Sequence, residues 1–153
     1  MTDGYSVETI NHTVDNQETV LEAWDVSSQC DTRCAFENSV RPLLMTFFDA
    51  VVICFDIGDE TTLEAVMQKW RNDAERYCPS APVILVGLKC DLRRDYPTLK
   101  LNFLNEPTAT ARGQQAAVQM GAVAYFECSA RTGEGVADFF ESVIRMVLLR
   151  RRR

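Results

Sequence analysis

The stretch "PVILVGLKCDLRRD", Pro82 to Asp95, decides the fold. Val83 to Gly87 is an unbroken apolar run behind a proline, the composition of a strand buried in a parallel sheet. Immediately beyond it stand Lys89 and Asp91, then Arg93 and Arg94. In open α/β sheets ligands lie outside the carboxyl ends of the strands, so polar groups there are candidate ligand contacts. Taken alone, the Lys-x-Asp pair reads first as surface charge closing a strand.

On either side of this stretch the pattern alternates. "HTVDNQETVLEAWD" reads as two short strands around a turn at Asp15-Asn16, the second ending near Trp24. "DAVVICFD" (Asp49–Asp56) is a second apolar run of the doubly covered kind. Behind it, Leu63, Val66, Met67, Trp70, Ala74 and Tyr77 fall on one helical face, with Thr61 and Glu64 as a capping-box start. "ARGQQAAVQM" predicts a helix closed by Gly121, and "VAYFEC" another strand. Val136, Phe139, Phe140, Val143, Ile144 and Val147 define an amphipathic helix at the end of the chain. Strands alternating with helices predict an α/β layered domain with a largely parallel sheet and right-handed crossovers.

The chain has 153 residues, 46% hydrophobic and 25% charged, the balance of one globular domain. A net charge of −6 argues against nucleic-acid binding. The terminal run Arg150, Arg151, Arg152, Arg153 suits either a helix C-terminus or weak contact with an anionic membrane surface. The six cysteines show no paired framework, and His12 completes no metal-ligand spacing with Cys30 and Cys34, so zinc is not expected. Cys54 and Cys128 read as small buried hydrophobes. "NHT" at Asn11 is a formal glycosylation sequon. Without a signal-peptide core, the expected setting is the cytoplasm, with the membrane periphery as the alternative.

Three strand ends together resemble the small GTPases of the Ras superfamily, and the Rho family in particular, over roughly residues 14–149. "VGLKCDLRRD" resembles the base-reading [NT]-K-x-D loop and "ECSA" (Glu127–Ala130) the second base-reading loop. "WDVSSQ" stands where the family has W-D-T-A-G-Q. "ERYCPSAPVILVG" and the polar segment 95–112 are similar to Rho-type sequences. The resemblance implies a three-layer, P-loop-NTPase-like α/β sheet with helices on both faces, here expected to lack the first strand, P-loop and first helix. Residues 1–153 are then one domain, with a poorly defined start over 1–13, a Rho-type insert at 95–112 and a basic tail at 150–153.

The resemblance also implies roles. Asp91 accepts the paired N–H donors of guanine, Lys89 lies along the purine, the Ala130 amide meets the guanine O6, and Ser129 shapes that loop. Asp25 helps hold Mg²⁺, and Gln29 orients the attacking water. The implied ligands are GTP or GDP with Mg²⁺, and the implied partners are effector and regulatory proteins of Rho-type signalling. Leu88 departs from the usual Asn or Thr, and Arg131 replaces a common Lys. On the phosphate side the departures are larger. None of the seven glycines begins G-x-x-x-x-G-K-[ST], and no Thr stands at the switch I position, which falls near Asp3. Ser28 replaces the glycine that meets the γ-phosphate, and with no Cys after Cys128 a prenylation box is not expected within these residues.

Two readings therefore stand: a Rho-type GTPase with impaired hydrolysis, and a nucleotide-free pseudo-GTPase acting as a protein-interaction module. An unrelated α/β binder leaves the ordered motifs unexplained. A sheet without its central first strand is expected either to pair the strands ending at Trp24 and starting at Asp49 directly, or to leave a gap that a partner fills.

Overall fold

The computed structural model describes residues 5–26, 48–94 and 108–152. Ser28, Gln29, Cys30, Cys34, Asp3, Arg153 and most of the 95–112 insert lie outside them. The chain opens with β1 (Tyr5–Val14) and β2 (Gln17–Val26), followed by β3 (Val51–Asp56). Helix α1 is α-helical over Glu60–Ala65, widens to a π-turn over Val66–Trp70 and returns to α over Arg71–Tyr77. Then come β4 (Val83–Leu88), α2 (Thr110–Met120), β5 (Ala124–Cys128) and α3 (Val136–Arg151). Strands β3, β4 and β5 form a parallel sheet with β4 at its centre.

Residue type explains each element. Asp15 and Asn16 both adopt positive φ, 52° and 62°, as a two-residue hairpin turn requires, and both residue types tolerate it. The strands they join are ten residues each and pair from Tyr5↔Val26 to Val14↔Gln17, longer than the two short strands expected. Helix α1 begins two residues ahead of the start that the Thr61–Glu64 box predicts, because Asp59 is the cap. Its carboxylate accepts from the Thr61 amide at 3.0 Å and from the Thr61 hydroxyl at 2.6 Å. Gly121, with φ 75°, closes α2 as the sequence suggests.

Helices cover both faces of the parallel sheet. On one side Ile53, Phe55 and Leu85 pack with Leu63, Val66 and Ala74 of α1 and with Ala116, Ala117 and Met120 of α2. On the other, Ile84, Val86 and Cys128 pack with Phe139 and Val143 of α3. Central β4 is thus buried on both faces, with Ile84 and Leu85 fully inaccessible. Strand β3 departs from expectation. Ile53 and Phe55 are buried, but Val52 and Cys54 are exposed, and neither belongs to the core cluster packed against α3. Cys54 is therefore not a buried hydrophobe, whereas Cys128 is.

The hairpin does not merge with this sheet. Among the described residues β1 and β2 form a separate two-stranded sheet, so direct pairing of β2 with β3 is not the solution adopted. Its tip docks instead on α3. Val14 is 1% exposed beside Leu148 and Leu149, and Arg145 forks onto Asp15 through two hydrogen bonds of 3.0 Å. Arg152 donates to the Gln17 side chain, Arg151 pairs with Asp49, and Arg150 donates to the Ser80 carbonyl. Three of the four terminal arginines thus hold the chain to itself.

Helix α2 lies tight against β5 at Gly113, in the first half of the helix. A Cβ there would overlap the Tyr125 ring and hydroxyl. Gly113→Ala should therefore destabilise the domain by about 1–3 kcal/mol through overpacking. Helix propensity alone predicts a gain of about 1 kcal/mol instead. Urea unfolding at equilibrium separates the two, and a gain would show that Tyr125 is free to move.

Candidate nucleotide-base site

Strand β4 ends at Leu88, and Lys89 turns the chain with φ 62°, a left-handed conformation unusual for a residue with a side chain. Its ammonium meets Asp56 Oδ2 at 2.5 Å, at the end of neighbouring β3. That hydrogen bond raises the Lys89 pKa, and Asp56 also accepts the Gly58 amide through Oδ1 at 2.8 Å. A helical turn over 91–94 follows, closed by Leu92 N–H to Lys89 O at 3.0 Å and Arg93 N–H to Cys90 O at 3.2 Å.

Asp91 is 3% exposed, the most deeply buried carboxylate of the described residues. Burial alone would penalise its charge. A side-chain hydrogen bond with Ser129 nevertheless holds its carboxyl below the usual range, helped by Arg131 and Arg94. Arg131 Nε lies 3.2 Å from Asp91 Oδ2. Ser129, fully buried, accepts the Thr132 amide on its hydroxyl at 3.3 Å, and its backbone closes the loop through Glu134 O and Gly133 N. Cys90 N–H to Cys128 O at 3.2 Å joins the two strand-end loops directly. The structure thus brings together Lys89, Asp91 and Ser129, with exposed Ala130 next in the chain.

A larger network behind the loops was not foreseen. Arg93 grips Glu127 with both terminal nitrogens, at 2.5 and 2.7 Å, and donates Nε to the Thr108 carbonyl at 2.8 Å. Tyr125 and Thr110 donate their hydroxyls to the same carboxylate, at 2.5 and 3.1 Å. Burial pushes Glu127 up, but these donors prevail and its pKa is lowered, while the Tyr125 phenol is pushed up. Gly87 makes the arrangement possible, since a Cβ there would crowd Ile57 and the Tyr125 hydroxyl at 3.0 Å. The sequence held a usable signal: Tyr125 and Glu127 are two apart on one strand and so share a face. No local pattern, by contrast, links them to Arg93.

Asp25 is exposed on β2, and Gln29 lies outside the described residues. Among the described residues no three carboxylate, imidazole or thiol groups are placed to hold a metal. Asp25 by itself does not make a Mg²⁺ donor set. The fit to a base is better: a buried, ionised carboxylate at a strand's carboxyl end already has an N–H donor, that of Arg131, against it.

A parallel sheet layered by helices, with two joined loops of this kind at its carboxyl edge, is the small-GTPase fold. A family model described as the Ras family matches residues 1–149. The chain is also 36% identical over 137 residues to the GTP-binding protein RHO1 of Candida albicans (strain SC5314 / ATCC MYA-2876), covering 88% of this chain and 67% of that relative. The chain belongs to the Ras family of small GTPases and is of the Rho type.

The clamp generates a stability prediction. Arg93 and Glu127 side chains are 26% and 17% exposed, so the pair is largely shielded from solvent. Arg93→Ala should cost about 1–3 kcal/mol, the usual penalty for leaving a shielded charged group without its partner. Because the folded pKa of Glu127 is lowered, its contribution is fully present above the unfolded carboxyl pKa of about 4.3. It is lost as pH falls through the folded value. Denaturant unfolding between neutral and acidic pH should show a Glu127→Gln deficit that shrinks on acidification, and a constant deficit would contradict the assignment.

Proposed function

We propose that this chain is a Rho-type signalling protein that recognises guanine through Asp91, Lys89, Ser129 and Ala130, with GTP hydrolysis impaired. The observation that carries this reading is the buried Asp91 carboxylate, kept charged by Ser129 at the carboxyl edge of the sheet. Guanine offers its N1–H and exocyclic amine as a parallel donor pair, which a carboxylate accepts with both oxygens. Adenine presents an acceptor at N1 and finds no such match. Effector and regulatory proteins of Rho-type signalling are the partners this reading supplies. Its setting is the cytoplasm, which agrees with four free thiols among the described residues.

Impairment is supported by an internal feature, Ser28 in "WDVSSQ", where the motif it resembles has glycine. A Cβ restricts the backbone at a place where a main-chain N–H must approach a phosphate closely. The 153 residues also contain no G-x-x-x-x-G-K-[ST] sequence to cradle phosphates. The base contacts offer about 1.5–3 kcal/mol each where charge is involved, against association costs of at least about 4 kcal/mol. Affinity for this chain is then in the region of 1 mM, equivalent to about 4 kcal/mol.

The second reading, a nucleotide-free interaction module, draws on the apolar side chains left exposed along β1, β2 and β3: Val7, Ile10, Val20 and Val52. Calorimetric titration with GDP or GTP in Mg²⁺ decides between them. Weak binding that prefers guanine to adenine nucleotides supports the proposal. Sub-micromolar affinity overturns the impairment, and no binding at all favours the interaction module. Asp91→Ala should erase the guanine preference, and a preference that survives would remove Asp91 from its role.

A further inference from the structure

We propose that Arg131 is an internal competitor of guanine, a side chain that holds the acceptor face of Asp91 and must leave before a base can dock. The proposal rests on the guanine-reading role of Asp91 given above and adds a determinant of its affinity. Three features of the site carry it. Arg131 Nε stands 3.2 Å from Asp91 Oδ2. Asp91 is buried, with its side chain 4% exposed, so few directions of approach to the carboxylate remain open. Ser129, itself buried, already makes a side-chain hydrogen bond with that carboxylate.

The chemistry of the two donors is alike. A guanidinium is a planar N–C–N unit with N–H bonds in a fork, suited to a carboxylate. The guanine edge that carries N1–H and the 2-amino group is the same N–C–N unit without the charge. A base that uses both Asp91 oxygens needs the Oδ2 acceptor position that Arg131 now holds. Arg131 is 63% exposed on its side chain, so its guanidinium lies on the solvent side of the buried carboxylate. Neighbouring cations do not substitute for it. Lys89 is committed to Asp56, and Arg94 lies 3.7 Å from Glu134. The competition is therefore local to one side chain and modest, on the scale of an ion pair with one exposed partner.

The test uses the full chain and guanosine, which is uncharged, so that salt acts on the ion pair and not on the ligand. Amide chemical shifts of Asp91, Ser129 and Ala130 are followed by NMR as guanosine is added, with adenosine as control. Arg131→Ala should bind guanosine about two- to fivefold more tightly than the parent, the range of an ion pair exposed on one side. Arg131→Lys, which keeps the charge but loses the fork, should fall between them. Raising NaCl should tighten the parent only slightly, because a pair with one buried partner is screened less than an exposed one, and should leave Arg131→Ala unchanged. Equal or weaker guanosine binding by Arg131→Ala, with the parent still preferring guanosine to adenosine, overturns the competitor role while leaving base recognition intact. Failure of guanosine to shift these amides in either protein overturns base recognition, and the competitor role falls with it.

Discussion

The fork between Arg93 and Glu127 is the constraint on which the rest of the site depends. Arg93 belongs to the turn that follows β4, and Glu127 sits near the end of β5, so the pair fixes the separation of two loops contributed by different strands. The same carboxylate gathers Tyr125 and Thr110, and Arg93 reaches the Thr108 carbonyl, which ties the start of α2 into the same cluster. A shielded ion pair is a poor source of net stability unless its remaining acceptors and donors are satisfied. Here they are. The fixed loop spacing lets Ser129 meet Asp91 and lets Cys90 bond to the Cys128 carbonyl. Charge on a buried aspartate is the product of that geometry.

Two glycines are the price of the clamp. The Tyr125 hydroxyl reaches Glu127 only because Gly87 and Gly113 leave no side chain in its path. This is why the buried β4 strand carries a glycine next to its last residue, Leu88, before turning to Lys89 and Asp91. The left-handed turn at Lys89 carries strain of its own, of order 1–3 kcal/mol for such conformations. The hydrogen bond between its ammonium and Asp56 holds it in place from the neighbouring strand.

Much of this was legible in the sequence, and what was not has a physical cause. The buried run Val83–Gly87, the helix ending at Gly121 and the Asp15-Asn16 turn are local signals, and the structure places them as read. Lys89, Asp91 and Ser129 could be singled out because they follow strand ends and sit in stretches that resemble base-reading loops. Asp56, Arg93 and Glu127 carry the site equally but pair over 33 and 34 positions, beyond any periodic pattern. The exposure of Val52 and Cys54 was also illegible. An apolar run does not say whether a helix covers both of its faces, and neither residue belongs to the core cluster packed against α3. The same limit applies to the hairpin, whose strands were readable but whose attachment through Arg145 and Val14 to α3 was not.

The central claim is that the loops after β4 and β5 act as one guanine-reading unit. Hydrogen–deuterium exchange of residues 89–94 and 129–133, with GDP or ADP present at millimolar concentration, tests it most directly. The account predicts slowed exchange in both segments together with GDP, and no change with ADP. Protection of one segment without the other, or equal protection by the two nucleotides, would contradict it.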